Sequence, residues 1–198
     1  MKMTGRRSTR STTCRRSELV DAARDLTDLD DQVRGRYAVV QNGNGTTELV
    51  DLGTKRPIMC NFPDEIADAL EFVEIAHGRV VVLGLGLGMI VRMLLRNPDV
   101  ERIDVVEISP EIIEMVAPSI EGERVRVHRM DALDARSPEQ LLLDARADYV
   151  WSDIFPDSSR DSLPDRLRTL EVWGPFSDAV MVWRLEESQE DAKKNRPS

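Results

Sequence analysis

Three glycines at alternate positions, Gly84, Gly86 and Gly88, follow the apolar run Val80-Val81-Val82-Leu83, and a carboxylate, Glu107, stands 19 residues beyond the last of them. Glycines so closely spaced let a backbone turn sharply and come within contact distance of a ligand, where any Cβ would intrude. Glu107 closes a second apolar run, and at the carboxyl end of a strand a carboxylate can accept both hydroxyl protons of a ribose diol. The chemistry on offer is the grip on a nucleoside. Three more acids stand where later strands should end: Asp131, then Asp153 and Asp157 around Ile154-Phe155-Pro156.

These residues need elements to position them. Residues 80–83 are apolar throughout, as a parallel strand covered on both faces should be. They lead through the glycine turn into a helix over about 89–96, closed by Asn97-Pro98, and a second strand over 102–108. Pro110 opens the next helix, with acids in its first turn. A third strand over 125–130 ends at Asp131-Ala132. Ser137-Pro138-Glu139-Gln140 predicts a capping box opening a helix to 145. A fourth strand over 148–152 runs into Asp153, a helix spans about 164–173, and a fifth strand covers 178–184.

The same pattern predicts an α/β fold: a doubly wound, Rossmann-like parallel sheet in strand order 3-2-1-4-5, over residues 63–185. Ahead of it, residues 17–62 predict a helix N-capped by Ser17 and a small β-hairpin lobe. That hairpin joins strands at 37–40 and 46–52 through Asn42-Gly43-Asn44-Gly45, and a short strand at 57–60 follows. An amphipathic helix over 64–76 follows, with Gly78 as its terminating C′ glycine. Residues 1–16 predict a disordered basic tail and residues 186–198 a loose polar one.

The glycine spacing discriminates between ligands. A dinucleotide site wants G-x-G-x-x-G, and here the third glycine comes one residue early, with Met89 in the dinucleotide position. The G-x-G-x-G pattern resembles the first motif of class I S-adenosylmethionine (SAM) methyltransferases. The run from Gly35 to Pro156 is similar in order and spacing to the spermidine synthase branch of that superfold, and the pattern stops after the fifth strand where the superfold continues to a sixth and seventh. The resemblance implies SAM or decarboxylated SAM as cofactor. It assigns Gly84, Gly86 and Gly88 to the amino-acid portion, Glu107 to the ribose, and Asp131 and Ala132 to the adenine, with Ile108, next to Glu107, also among the cofactor-binding residues. Asp153 falls beside the reacting carbon, with Phe155 and Asp157 on the acceptor side.

Departures from the family decide between reactions. The family's motif after strand four is D-x-x-D then proline. Here the second acid, Asp157, is displaced by one residue and Phe155-Pro156 intervenes. The lobe's acidic, Tyr- and His-containing amine-binding stretch has no match. A polyamine needs several acids to hold it and one to take its proton. Methyl transfer from an activated sulfonium needs alignment above all. The leading expectation is a SAM-dependent methyltransferase on a small-molecule acceptor, with Asp153 as base. The alternatives are an aminopropyltransferase using decarboxylated SAM, and a non-catalytic binding protein, favoured by Val82 standing where many methyltransferases have an acid. Trp151 and Trp173 are candidates for the acceptor wall, with core packing as the other reading.

Charge and composition bound the rest. The 198 residues carry a formal charge of −9; the six basic residues among the first 16 account for +6, so the remainder carries −15. So acidic a body repels phosphate backbones, which argues against duplex nucleic acid as a partner. No apolar run approaches the roughly 20 residues that span a bilayer, so the expectation is a cytoplasmic protein with no membrane partner. Cys14 and Cys60 form no metal or disulfide pattern, and His77 and His128 read as structural. An open edge on the fifth strand favours a homodimer.

Overall fold

The structure, a computed structural model, describes residues 15–155 and 160–194. The predicted basic tail falls almost wholly outside the described residues, and so do Pro156 and Asp157. Helix α1 (Arg16–Arg24) leads into a four-stranded antiparallel sheet, β1 (Gln32–Arg34), β2 (Tyr37–Gln41), β3 (Thr47–Asp51) and β4 (Arg56–Cys60), in the order β1-β2-β3-β4. Helix α2 (Pro63–Ile75) then enters the second sheet. This runs β5 (Gly78–Leu83), α3 (Met89–Arg96), β6 (Val100–Glu107), α4 (Pro110–Val116), β7 (Val125–Arg129), α5 (Arg136–Leu141), β8 (Ala147–Ser152), α6 (Leu163–Trp173) and β9 (Ser177–Val182). Helix α7 (Leu185–Lys194) follows. All five strands of the second sheet pair in parallel, in the order β7-β6-β5-β8-β9, which is the 3-2-1-4-5 arrangement expected from the sequence.

Strand β5 lies at the centre because both its faces are apolar. Val80 and Val82 enter the main core with α1, α2 and α3, while Val81 and Leu83 enter a second cluster with Val150, Val172 and Trp173. The main core does not stop at the second sheet. Leu19, Leu26, Val39 and Leu49 from the N-terminal part join it, so the small sheet and the large one share one apolar interior. Asn97 seals a junction, donating to the carbonyls of Val73 and Ala76 at 2.8 and 2.9 Å.

Several local expectations need correction. The expected hairpin is present as β2 and β3, with β4 as the short strand after it, and the lobe gains one strand that was not expected: β1, only three residues of mixed polarity, carries no periodic signal and forms by pairing with β2. Ser17 lies inside α1; the N-cap is Arg15, whose N–H donates to the Glu18 carboxylate at 3.1 Å. Gly78 does not end α2. That helix stops at an extended Ala76, and Gly78 (φ +62°) opens β5, where a Cβ would collide with the Asp148 carboxylate. Ser137 is not a cap either; it sits within a shorter α5 and its hydroxyl donates to Asp131 O at 2.6 Å. Residues 185–194 are helical rather than loose, with Ser188 fully buried.

His77 packs edge-on against Tyr149 at 5.1 Å, and His128 Nε2 lies 2.9 Å from Asp104 Oδ1. Asp104 is fully buried and takes hydrogen bonds from Arg79 (3.0 Å) and Arg102 (3.1 Å), so a charged network ties β5, β6 and β7 together inside the sheet.

Candidate functional site

A cavity of about 530 Å3 opens at the carboxyl ends of the parallel strands, where the strand order reverses between β5 and β8. An open α/β sheet places ligands there because its connections leave that point in opposite directions. Gly84, Gly86, Glu107, Ile108, Asp131, Ala132, Asp153 and Phe155, far apart in the chain, all line this one space.

The glycine turn is built by backbone need. Gly84, Gly86 and Gly88 all adopt positive φ (+93°, +51° and +74°), a region costly to side chains. A Cβ on Gly84 would lie 2.6 Å from the Asp153 carbonyl oxygen, so the turn and the end of β8 approach only because that atom is missing. Gly88 differs from the other two. It is the N-cap of α3 and packs toward Val116 and Ile120, away from the cavity.

Glu107 is held by its surroundings. One carboxylate oxygen accepts the Leu85 N–H at 2.9 Å and the other the Ser109 N–H at 2.8 Å. Its side chain is thereby locked between the glycine turn and the start of α4, and each oxygen keeps a further lone pair for a diol. Ser109 in turn caps α4, accepting the Ile112 N–H at 3.2 Å. Next to Glu107, Ile108 is 63% exposed, a large apolar side chain beside the cavity. Asp131 is exposed; one of its oxygens accepts the Leu133 N–H at 2.8 Å and the other accepts nothing from the described residues.

Asp153, half-buried at the end of β8, accepts no hydrogen bond from the described residues through its carboxylate. Burial, then the negative field of Glu65 and Asp68, pushes its pKa up to about 7 against the opposing charges of Arg166 and Arg184. Such a group gains and loses a proton near neutrality, as a general base must. Around it the wall is aromatic: Phe155, Trp151 and Trp183 line the cavity, and the buried Arg166 guanidinium lies 4.2 Å from the Phe155 ring centre and 5.4 Å from that of Trp183. Trp173 is not part of this wall; it is buried in the second core cluster and donates to Ala132 O at 2.8 Å.

The N-terminal elements supply residues that sequence reasoning missed: Tyr37, Met59, Cys60 and Glu65. Glu65 accepts the Cys60 N–H and thiol, both at 3.0 Å. Burial, then Glu65, pushes that thiol up to about 12, so Cys60 stays a neutral wall. Asp68 accepts from the Trp183 indole at 2.9 Å and from Arg184 at 3.0 Å. Every ionisable carboxylate lining the cavity (Glu65, Glu107, Asp131, Asp153) is an acid without a Lys, Arg or His beside it in the lining of the described residues. Among the described residues there is no group of three or more His, Cys, Asp or Glu suited to a metal ion, and no helix long and apolar enough to cross a membrane.

No protein-family model matches the chain. Among curated proteins it is similar to the polyamine aminopropyltransferases of Mycobacterium tuberculosis (strain H37Rv) and Mycobacterium bovis. It is 27% identical to each over 132 residues, covering 54% of this chain and 25% of the relative. The chain therefore spans about a quarter of the length of the curated relatives it matches. Similar solved structures include a spermidine synthase in complex with the transition-state analogue AdoDATO (TM-score 0.47, 13% identity, 67% of this chain and 48% of that one). Another is Trm5b from Pyrococcus abyssi (TM-score 0.46, 14% identity, 83% of this chain and 53% of that one).

Proposed function

We propose that this chain binds an adenosyl sulfonium nucleoside, SAM or decarboxylated SAM, and transfers a group from its sulfur to a small-molecule acceptor. One observation carries the reading: Glu107 is anchored at both oxygens beside the glycine turn and faces the cavity at the point where the strand order reverses. In this reading Glu107 accepts the ribose hydroxyls, Asp131 the adenine amine, and Ile108 covers the base. The sulfonium lies among carboxylates, where a positive charge is favoured.

The transferred group follows from the acceptor side. The acids that would hold a polyamine are engaged, Glu65 by Cys60 and Asp68 by Trp183 and Arg184, which leaves Asp153 and aromatic surface. Methyl transfer to a flat acceptor, with Asp153 taking its proton, suits that wall. The sulfonium supplies the leaving group and the chain supplies alignment and a base.

A second reading, aminopropyl transfer from decarboxylated SAM, has its own observation. Among the described residues no Lys, Arg or His lines the cavity to meet the carboxylate of SAM, and a donor without that carboxylate brings only positive charge to four acids. The similarity to curated aminopropyltransferases adds to it.

Calorimetric titration with S-adenosylhomocysteine and 5′-methylthioadenosine, followed by turnover assays with SAM and with decarboxylated SAM plus putrescine, tests both. Saturable binding of a nucleoside is expected. No heat with any of them rules out the reading, and turnover only with the decarboxylated donor replaces methyl by aminopropyl transfer.

A further inference from the structure

Met59 does something in the cavity wall that the nucleoside reading does not use. Its thioether sulfur accepts the Leu87 N–H at 3.2 Å, and its tip fills the hollow that Gly86 leaves, so that a Cβ on Gly86 would collide with both Sδ and Cε. This is the part of the glycine turn that would face whatever a nucleoside carries beyond its 5′ position. A side chain of the N-terminal sheet thus occupies the turn and satisfies its amide.

The strand that delivers Met59 is built to give way. β4 is an edge strand, paired among the described residues with β3 alone. Its register with β3 shifts between Leu49, opposite Met59, and Val50, opposite Pro57, so Ile58 is an extra residue with no partner. A bulge of this kind bends the strand and re-aims the neighbouring side chain. Pro57, beside it, has no N–H to add to the ladder. Methionine itself is unbranched with three rotatable bonds, and thioether sulfur is a weak acceptor that a stronger one displaces.

We propose that Met59 is a displaceable occupant of the glycine turn, which the tail of a bound nucleoside replaces by taking the Leu87 N–H and moving β4 at its bulge. The inference rests on the nucleoside reading and adds a specificity-determining residue to it. A tail ending in a carboxylate gives Leu87 a charged acceptor in exchange for the sulfur. A tail ending in an amine alone gives it none, and a nucleoside with only a methylthio group leaves Met59 in place.

The test compares two ligands that differ in the tail alone. In Met59→Ala, S-adenosylhomocysteine binds several-fold more tightly than in the unaltered chain, because nothing has to be displaced, while the affinity of 5′-methylthioadenosine stays within about twofold, well under the tenfold that corresponds to 1.4 kcal/mol. Met59→Leu, which keeps the bulk, leaves both affinities near those of the unaltered chain. In the absence of nucleoside, the Leu87 amide exchanges faster in Met59→Ala, and S-adenosylhomocysteine protects it in the unaltered chain where 5′-methylthioadenosine does not. If both ligands change alike in Met59→Ala, or the tail-bearing ligand weakens, Met59 is a packing residue and the proposal falls while nucleoside binding stands. If neither ligand binds the unaltered chain or either variant, the nucleoside reading falls and takes this inference with it.

Discussion

Asp153 is the residue on which the chemistry turns. Its carboxyl is raised to about 7 by burial first and by the acids around it second, so it is neutral in mild acid and ionised above neutrality. A base with that behaviour gives turnover that rises with pH through about 7, and Asp153→Asn is expected to abolish the rise along with most of the rate. The same shift has a stability consequence of definite sign. An acid whose folded pKa lies above its unfolded value of 3.8 costs the fold nothing below that value. The cost grows between about pH 4 and 7 and stays level above. Asp153→Asn should therefore melt no lower than the unaltered chain at pH 8, and at a higher temperature if the cost is fully felt; the gap should vanish near pH 4. A variant clearly less stable at pH 8 would mean that the carboxylate is held by favourable contacts and is no poised base. Gly84 is the complementary case, where an atom is excluded. Gly84→Ala sets a Cβ against the Asp153 carbonyl at a φ of +93°, and is expected to lower both the melting temperature and nucleoside affinity.

Among the elements, β5, β6 and β7 are held by more than their apolar faces. Asp104 is buried with Arg79, Arg102 and His128 around it. Burial raises its pKa, but hydrogen bonds from His128, Arg102 and Arg79 outweigh that and hold the carboxyl below its ordinary range. Asp104→Ala leaves the Arg79 guanidinium buried without this partner, and a loss of about 3–5 kcal/mol is expected by chemical denaturation at pH 7. A depressed carboxyl contributes stability above its unfolded pKa and loses it as pH falls through the folded value, so the gap to the variant should shrink in acid.

Most of the parallel strands were legible in the sequence as short apolar runs ending at a turn signal, β7 as an alternating one, and α3 matches its expected bounds of 89–96. What escaped were elements made by tertiary contact. β1 has three residues and a partner but no period, and α7 has a polar sequence that reads as tail until Ser188 is buried. The caps at Ser17 and Ser137 failed for a related reason: a serine near a helix start is only a candidate, and α1 begins at Arg16 with Arg15 as its N-cap, while the Ser137 hydroxyl, inside α5, donates to the Asp131 carbonyl. In the site, the strand-end acids and glycines were legible from spacing. Met59, Glu65, Tyr37 and Trp183 were not, since they reach the cavity from the other sheet, from α2 and from beyond β9. The one available hint was Glu65 in the first turn of a helix whose apolar stripe faces inward.

At the scale of the whole molecule, two parallel features matter: one continuous core joins the two sheets, and β9 ends the larger sheet with no further strand beside it among the described residues. Unpaired strand edges are templates for association. Sedimentation equilibrium is expected to give two chains per particle; a monomer across the micromolar range would show that the β9 edge is left to solvent. Because the cavity is walled by both sheets, a nucleoside bound there should stabilise the entire chain, by about 2.7 kcal/mol at a hundred times its dissociation constant. The most direct test of the account is a calorimetric titration of 5′-methylthioadenosine into the chain and into Glu107→Gln, both shown to be folded by circular dichroism. Saturable binding with one nucleoside per chain, weakened about 10- to 100-fold by the substitution as the loss of a charged hydrogen bond requires, is the predicted result. Equal affinity in the two proteins would contradict it, because the ribose grip assigned to Glu107 would then not exist.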